Sequence, residues 1–350
     1  MRSPPALILA LLAALFAAAP AAAATPSLPD LDKLGARPVV IDDAMLDSSS
    51  ERFRARSAAS IDLPDPVRAV NGELVRIGVS ARYAKRALLG RSWANFFAGL
   101  IHGPEIARVV VYVAPPDEVS DSCGEGSDAC YSAQDNLLVI PGDTPASGAP
   151  VEEIAAHEYG HHVANSRSNY PWEAIDWGTK RWSTAQLVCQ RVRSGRAFPG
   201  DQGRRYRLNP GEAFADAYRV LVGGSWSGLF DAAYKPTPAD LALIRQDVLD
   251  PWRQNVVEVR EGSFTETGPS VQRFDFTAPL DGRLKLTLKG AREQDVDLYL
   301  YDDDDRRLAG AANPGRQEGL RGDLCGVRDF TVAVRRAEGP GRFRLEVSHP

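Results

Sequence analysis

The stretch that decides the reading is "EEIAAHEYGHHVAN", Glu152 to Asn165. It carries His157, His161 and His162, three of only five histidines in a chain of 350 residues. Within it, His157-Glu158-Tyr159-Gly160-His161 spells H-E-x-x-H. Pro150 suits a first helical position, and Val151, Ile154, Ala155 and Glu158 recur at helical spacing. A helix is therefore expected to end near Asn165. On such a helix His157 and His161 lie one above the other and present both imidazoles to one ion. Glu158 is offset by one residue, close enough to act as a general base on a water without itself ligating. Two imidazoles and one further protein donor leave a fourth position open, the arrangement of a catalytic Zn2+ site. His162 is turned away from the pair and reads as a packing or partner residue at the helix end.

The third donor must come from elsewhere. Downstream only His349 remains, at the far end of the chain, and no Gly or His stands where a metzincin extension would need it. A carboxylate is the expected ligand. In "NPGEAFADAYRVLVGG", Asn209 to Gly224, Asn209 is a plausible N-cap, Pro210 opens a helix, and the glycine pair stops it. Phe214, Ala217, Tyr218 and Leu221 form its apolar stripe. Glu212 and Asp216 are four apart and share another face. Glu212 is the favoured ligand, and Asp216 the residue that accepts a hydrogen bond from a ligand histidine and fixes its tautomer. Against this stand a capping-box role for Glu212 and a solvated helix face for Asp216. Asp216 and Asp176 are the alternative third ligands.

His157, Glu158 and His161 with the later "GEAFAD" resemble the gluzincin group of zinc metallopeptidases. The resemblance implies an α+β zincin-like catalytic domain, a mixed sheet plus active-site helices. It also implies His157, His161 and Glu212 as zinc ligands, Glu158 as the catalytic base and Asp216 as support for a histidine. It is confined to these two short motifs, and the stretch from His161 to Glu212 is much longer than in thermolysin-like members.

Around this centre the chain is laid out in stages. Residues 1–24 read as a signal peptide: Arg2, an unbroken apolar run from Ala6 to Ala19, then Pro20 and alanines with a small-residue cleavage site near Ala24. The run is shorter than the ~20 residues that span a bilayer. Export, with no membrane association after cleavage, follows. Residues 25–60, rich in Pro, Asp, Ser and Arg, read as a linker or a pro-segment. Residues 61–254 form the metallopeptidase domain. In it "LVRIGVSARY", "ARVVVYVAP" and "NLLVIPG" read as strands, and "STAQLVCQRV" and "TPADLALIRQDVL" as helices. "NLLVIPG" (Asn136 to Gly142) is either a cleft-lining strand that pairs with substrate backbone or an ordinary core strand. Tyr206 and Tyr218 are the candidate hydrogen-bond donors to a tetrahedral oxyanion.

Residues 255–350 change character. "SVQRFDFTAP", "GRLKLTLKG", "DVDLYLYD", "DFTVAVRR" and "GRFRLEVSH" alternate apolar and polar residues between turns, the pattern of an all-β sandwich. The D-x-D-L-Y-L-Y core and the closing G-x-F-x-L-x-V are similar to the bacterial pre-peptidase C-terminal domain, which implies an accessory role. Asp295, Asp297 and Asp302 to Asp305 either bind Ca2+ or form a solvated turn.

Four cysteines in an exported chain read as two disulfides. Cys123 and Cys130 flank a short flexible loop. By elimination Cys189 pairs with Cys325, or both stay buried thiols. The net charge of −5, without a long Lys/Arg stripe, speaks against a nucleic-acid or anionic-membrane partner. The expected activity is hydrolysis of a peptide or protein substrate. The rival readings are a zinc amidase acting on cell-wall peptide and a secreted binding or adhesion protein with a structural zinc.

Overall fold

The computed structural model describes residues 39–41, 63–326 and 328–350. The expected signal peptide and nearly all of the expected linker or pro-segment lie outside the described residues. Among the described residues no helix is long and apolar enough to cross a membrane.

The first half is built on a five-stranded sheet. Its strands are β2 (Pro66–Arg68), β3 (Leu74–Val79), β4 (Val110–Ala114), β5 (Cys130–Ser132) and β6 (Leu137–Pro141), in the order β2-β3-β4-β6-β5. The central three run parallel, and the two outer strands are antiparallel to their neighbours. Alternation along each strand decides what each face meets. Val75, Ile77, Val111, Val113, Leu138 and Ile140 point to one side and are buried in the main core. Tyr112, Ala114 and Val139 point to the other, where α2 (Pro116–Cys123) covers them with Val119 and Cys123.

The main face is covered by α1 (Arg86–Gly99), through Trp93, Ala94 and Phe97, and by α3 (Val151–Asn165), through Ala155, Tyr159 and Val163. The apolar residues of α1 escaped the reading of strand patterns, yet this helix supplies the crossover that parallel β3 and β4 need. Pro150 is the N-cap of α3 rather than its first residue.

Of the two readings of "NLLVIPG", the structure gives the core strand: it forms β6, an interior strand with β4 on one side and β5 on the other. The outer strand is β5, tied to the end of α2 by the Cys123–Cys130 disulfide. The helix expected over "STAQLVCQRV" is two, α5 (Lys180–Ala185) and α6 (Val188–Arg193), because Leu187 between them takes a left-handed conformation with φ 54°. The short α4 (Ala174–Trp177), the long α7 (Pro210–Leu221) and α8 (Pro238–Leu249) complete this half.

The second half is a sandwich of two antiparallel sheets. One is β12 (Gln317–Cys325), β9 (Gly282–Gly290), β14 (Gly341–His349) and β7 (Val256–Phe264), with the short β1 (Val39–Ile41) added beside β12. The other is β11 (Arg307–Ala311), β10 (Asp295–Asp302), β13 (Asp329–Glu338) and β8 (Val271–Thr277). Every second residue of β9, Leu284, Leu286 and Leu288, faces inward against Val296, Leu298, Leu300, Val332 and Val334 of the opposing sheet. That is the period of two that aligned sheet packing requires.

The two halves share one small apolar cluster, Trp172, Cys189 and Cys325, with Trp177 packed against it. The Cys189–Cys325 disulfide runs through it, from α6 to β12. The acids of β10 and the following turn are engaged separately. Asp302 takes Arg306, Asp305 takes Arg273, Asp297 takes the Tyr299 hydroxyl, and Asp295 takes the Gly315 amide. Among the described residues these acids form no group that gathers about one point.

Candidate metal centre

The centre lies between α3 and α7. Their close approach depends on a residue inside the motif that the sequence reading passed over. A Cβ on Gly160 would stand 2.8 Å from the Ala215 Cα and 3.0 Å from its carbonyl oxygen. Only glycine lets the two backbones meet here. At the start of α7, a Cβ on Gly211 would likewise fall 3.0 Å from the Asp176 Cα. Both glycines sit in the motifs "HEYGH" and "NPGEAFAD" and let the helices bring their polar residues together.

His157, His161 and Glu212 converge. Their potential donor atoms all lie within 4.8 Å of one another, and they are the one such group among the described residues. Glu212 Oε2 is 3.3 Å from Nε2 of His157 and 3.3 Å from Nε2 of His161. The two imidazole rings stand nearly perpendicular, with centroids 5.0 Å apart. The His157 ring lies nearly parallel to that of Phe230, with centroids 6.2 Å apart. This buried set could hold a metal ion.

Glu212 has no part in capping α7. The Asn209 side chain caps the helix by accepting from the Gly211 amide, while Glu212 turns to the histidines. By contrast, a full capping box forms at α8 between Thr237 and Asp240. The two Glu212 oxygens are also held from outside. Gln202 donates to Oε1 at 2.8 Å and Tyr206 to Oε2 at 2.9 Å. Burial pushes this carboxyl up, and the two imidazoles overcome it, holding the group well below the ordinary carboxylate range.

Asp216 is fully buried, not on a solvated face. Its Oδ1 lies 3.8 Å from His157 Nδ1 and pairs with Arg219 at 2.7 Å, while Oδ2 accepts from the amide and hydroxyl of Ser227. It therefore faces the ring nitrogen opposite the one turned toward Glu212. Burial disfavours charge on His157, but the Asp216 and Glu212 carboxylates outweigh it and raise the imidazole to about 10.

Glu158 is buried beside the pair, and its carboxyl group makes no hydrogen bond to another described residue. Burial raises its carboxyl above the ordinary value, with the two imidazoles opposing. A carboxylate so placed is a better proton acceptor than an exposed one.

The remaining expectations sort cleanly. Asp176 lies outside the group of three. His162 is fully buried. Its Nε2 donates to the Glu105 carbonyl, which leaves Nδ1 to accept from the Tyr131 hydroxyl, both at 3.0 Å. It is a packing residue, held neutral by burial. Tyr218 donates to the Ile101 carbonyl in the core and does not reach the site, whereas Tyr206 does. Gln202, Ser227 and Phe230 were not legible beforehand, since each comes from a loop with no periodic signal.

Comparison with known proteins gives little beyond this. No family model matches the chain, and no curated protein matches it. Among solved structures, the pre-peptidase C-terminal domain of a collagenase from Bacillus anthracis is 14% identical. It covers 26% of this chain and 87% of its own, with a TM-score of 0.22. The periplasmic lysozyme inhibitor PliG of Aeromonas hydrophila is 9% identical over 27% of this chain and 85% of its own, with a TM-score of 0.20. These likenesses are weak and carry no argument; the sandwich rests on the strand pairing above.

Proposed function

We propose that the chain is an exported zinc metallopeptidase with a zincin-like catalytic half. The observation that carries the reading is the convergence of His157, His161 and Glu212 with the unpartnered carboxyl of Glu158 on the same helix. The donors fit the ion, since borderline-soft Zn2+ takes imidazole nitrogen and carboxylate oxygen, and three protein donors are the catalytic complement. Bound there, zinc would supply a Lewis acid toward a scissile carbonyl and toward water.

The protein's own residues do the rest. Glu158 takes a proton from the attacking water and passes it to the leaving amine. Asp216 orients His157 from behind, and Gln202 with Tyr206 fixes the Glu212 carboxylate. The outer strand β5 packs against α3 through Tyr131, which contacts His162 and Asn165. Its free edge offers main-chain groups to an extended peptide, a role that interior β6 cannot fill.

The test is cleavage of a mixed-peptide library by the purified protein beside Glu158→Gln, with zinc content measured on both. Cleavage by the parent, and zinc retained without cleavage by the variant, is expected. Zinc in both and cleavage by neither would favour a structural zinc, and cleavage of crosslinked cell-wall peptide alone would favour an amidase. Failure of either protein to take up zinc would overturn the reading.

A further inference from the structure

Beyond α7 the chain turns back toward the metal centre it has just left. Gly223, at φ 102°, and Gly224 make the turn. A Cβ on Gly224 would fall 2.8 Å from the Arg219 Cγ, 3.1 Å from the Arg219 carbonyl oxygen and 3.3 Å from the Glu153 Cγ. The glycine pair therefore ends the helix and also lets the chain that follows reach Glu153 of α3 and Asp216 of α7.

Two serines fasten that chain. The amide and hydroxyl of Ser225 donate to Oε2 of Glu153 at 3.1 and 2.8 Å. The amide and hydroxyl of Ser227 donate to Oδ2 of Asp216 at 3.0 and 3.1 Å. Hydrogen bonds to an ionised carboxylate are the stronger class. The Ser227 hydroxyl oxygen also accepts from the Leu229 amide at 3.2 Å, which directs the chain on toward Phe230. Arg219 links the two acids, its guanidinium 2.7 Å from Oδ1 of Asp216 and 3.8 Å from Oε2 of Glu153.

The two anchors differ in what lies behind them. Glu153 is engaged by Ser225 and Arg219, neither of which belongs to the donor set. Asp216, fully buried, turns its Oδ1 toward Nδ1 of His157 at 3.8 Å. With Oδ2 taken by both donors of Ser227, Oδ1 is the oxygen left for the histidine and for Arg219. The same stretch ends at Phe230, whose ring is nearly parallel to that of His157 and meets Tyr206 at 5.5 Å and Trp226 at 6.0 Å. One short run of chain thus reaches His157 twice, through Asp216 and through Phe230.

We propose that Ser227 is a positioning residue for the metal centre: acting through Asp216 it sets the orientation of His157, so that metal binding and the order of residues 225–230 are coupled. The inference rests on the metal centre of the function proposed above and not on peptide cleavage. Coupling of this kind is reciprocal. An ion on His157 steadies the segment, and a fastened segment favours the ion. A bond that only pinned the loop would stabilise the fold without this preference, the role that its partners leave to Ser225.

The experiment compares the full chain with Ser227→Ala, Ser227→Thr and Ser225→Ala. Zinc affinity is read by competition with a chromogenic chelator, and amide hydrogen exchange over residues 223–230 is followed with and without zinc. Both serines are exposed, and each alanine variant loses a hydroxyl bond to a carboxylate while keeping the amide bond. Ser227→Ala should weaken zinc binding about tenfold, the low end for the outer partners of a metal ligand. Ser227→Thr should restore it, and Ser225→Ala should stay close to the parent. Zinc should slow exchange over the segment in the parent, a readout that needs no variant and stands even if Ser227→Ala loses the fold by near-ultraviolet circular dichroism. Zinc affinity unchanged in Ser227→Ala, equal weakening by both alanine variants, or exchange indifferent to zinc would each overturn the proposal and leave the metal reading intact. A parent that takes up no zinc would overturn both.

Discussion

Tyr206 donates its hydroxyl to Oε2 of Glu212 at 2.9 Å, and that oxygen is the one lying 3.3 Å from both His157 and His161. The phenol therefore fixes the carboxylate rotamer at the point where the three donors converge. Its own ionisation is suppressed by burial and by the neighbouring Glu212, so it remains a donor.

Tyr206→Phe removes this bond and leaves Glu212 held by Gln202 alone. Loss of an outer partner of this kind costs a metal site about 10–100-fold in affinity. The expected result, read by competition with a chromogenic chelator, is weaker zinc binding with an unchanged fold. An unchanged affinity would show that Gln202 suffices to orient the carboxylate.

Gly160→Ala tests the geometry between the helices. The new methyl would meet the backbone of Ala215, which has no flexible end to move aside. Overpacking of this sort costs about 1–3 kcal/mol, and relief by separation of α3 from α7 would carry Glu212 away from the histidines. Lower thermal stability and lower zinc affinity should appear together. A stability loss with zinc affinity intact would mean that the helices shift without opening the donor set.

How much of this was legible beforehand depends on the range of each signal. H-E-x-x-H sits in one helical turn, so the placing of His157 and His161 side by side, with Glu158 next to them, was legible from spacing alone. Glu212 and Asp216 required a second helix, and the Asn209-Pro210 start fixed its register well enough to put both acids on one face. Leu284, Leu286 and Leu288 declared the sandwich by strict alternation. What stayed hidden depends on contacts between elements. The role of Gly160 follows from where Ala215 lies, and nothing local to Gln202 or Phe230 marks them as neighbours of the site. The position of β6 inside the sheet was hidden because the three-residue β5 is too short to announce an edge strand.

The metal and protons should compete for His157. In the metal-free chain this imidazole, raised to about 10, carries a proton at neutral pH, while Glu212 is ionised. A ligand histidine must be neutral. Falling pH thus opposes the metal, and apparent zinc affinity should rise by about tenfold per pH unit on the way up to pH 10. The same pair stabilises the metal-free fold fully below the unfolded histidine pKa of about 6.5. That contribution is lost as pH rises through 10. Calorimetry in buffers of different ionisation enthalpy should register about one proton released per ion bound at neutral pH. Release of none would show that His157 is already neutral in the free protein.

The Cys189–Cys325 bridge makes a separate prediction about the two halves. It joins α6 to β12 across a sequence separation of 136 residues, while the connecting chain between α8 and β7 is short and partly exposed. A single proteolytic cut in that connection, between Leu249 and Val256, should leave one band on a non-reducing gel and two on a reducing one. Cys189→Ser with Cys325→Ser removes the bridge but leaves Trp172 packed nearby, the Asp281 amide donating to the Thr184 hydroxyl and β1 paired with β12. Loss of a native disulfide typically costs about 2–5 kcal/mol. The cut double variant should therefore release the sandwich on gel filtration, whereas the cut parent elutes as one species. Co-elution of the two halves of the cut variant would show that the apolar and hydrogen-bonded contacts hold them together without the bridge.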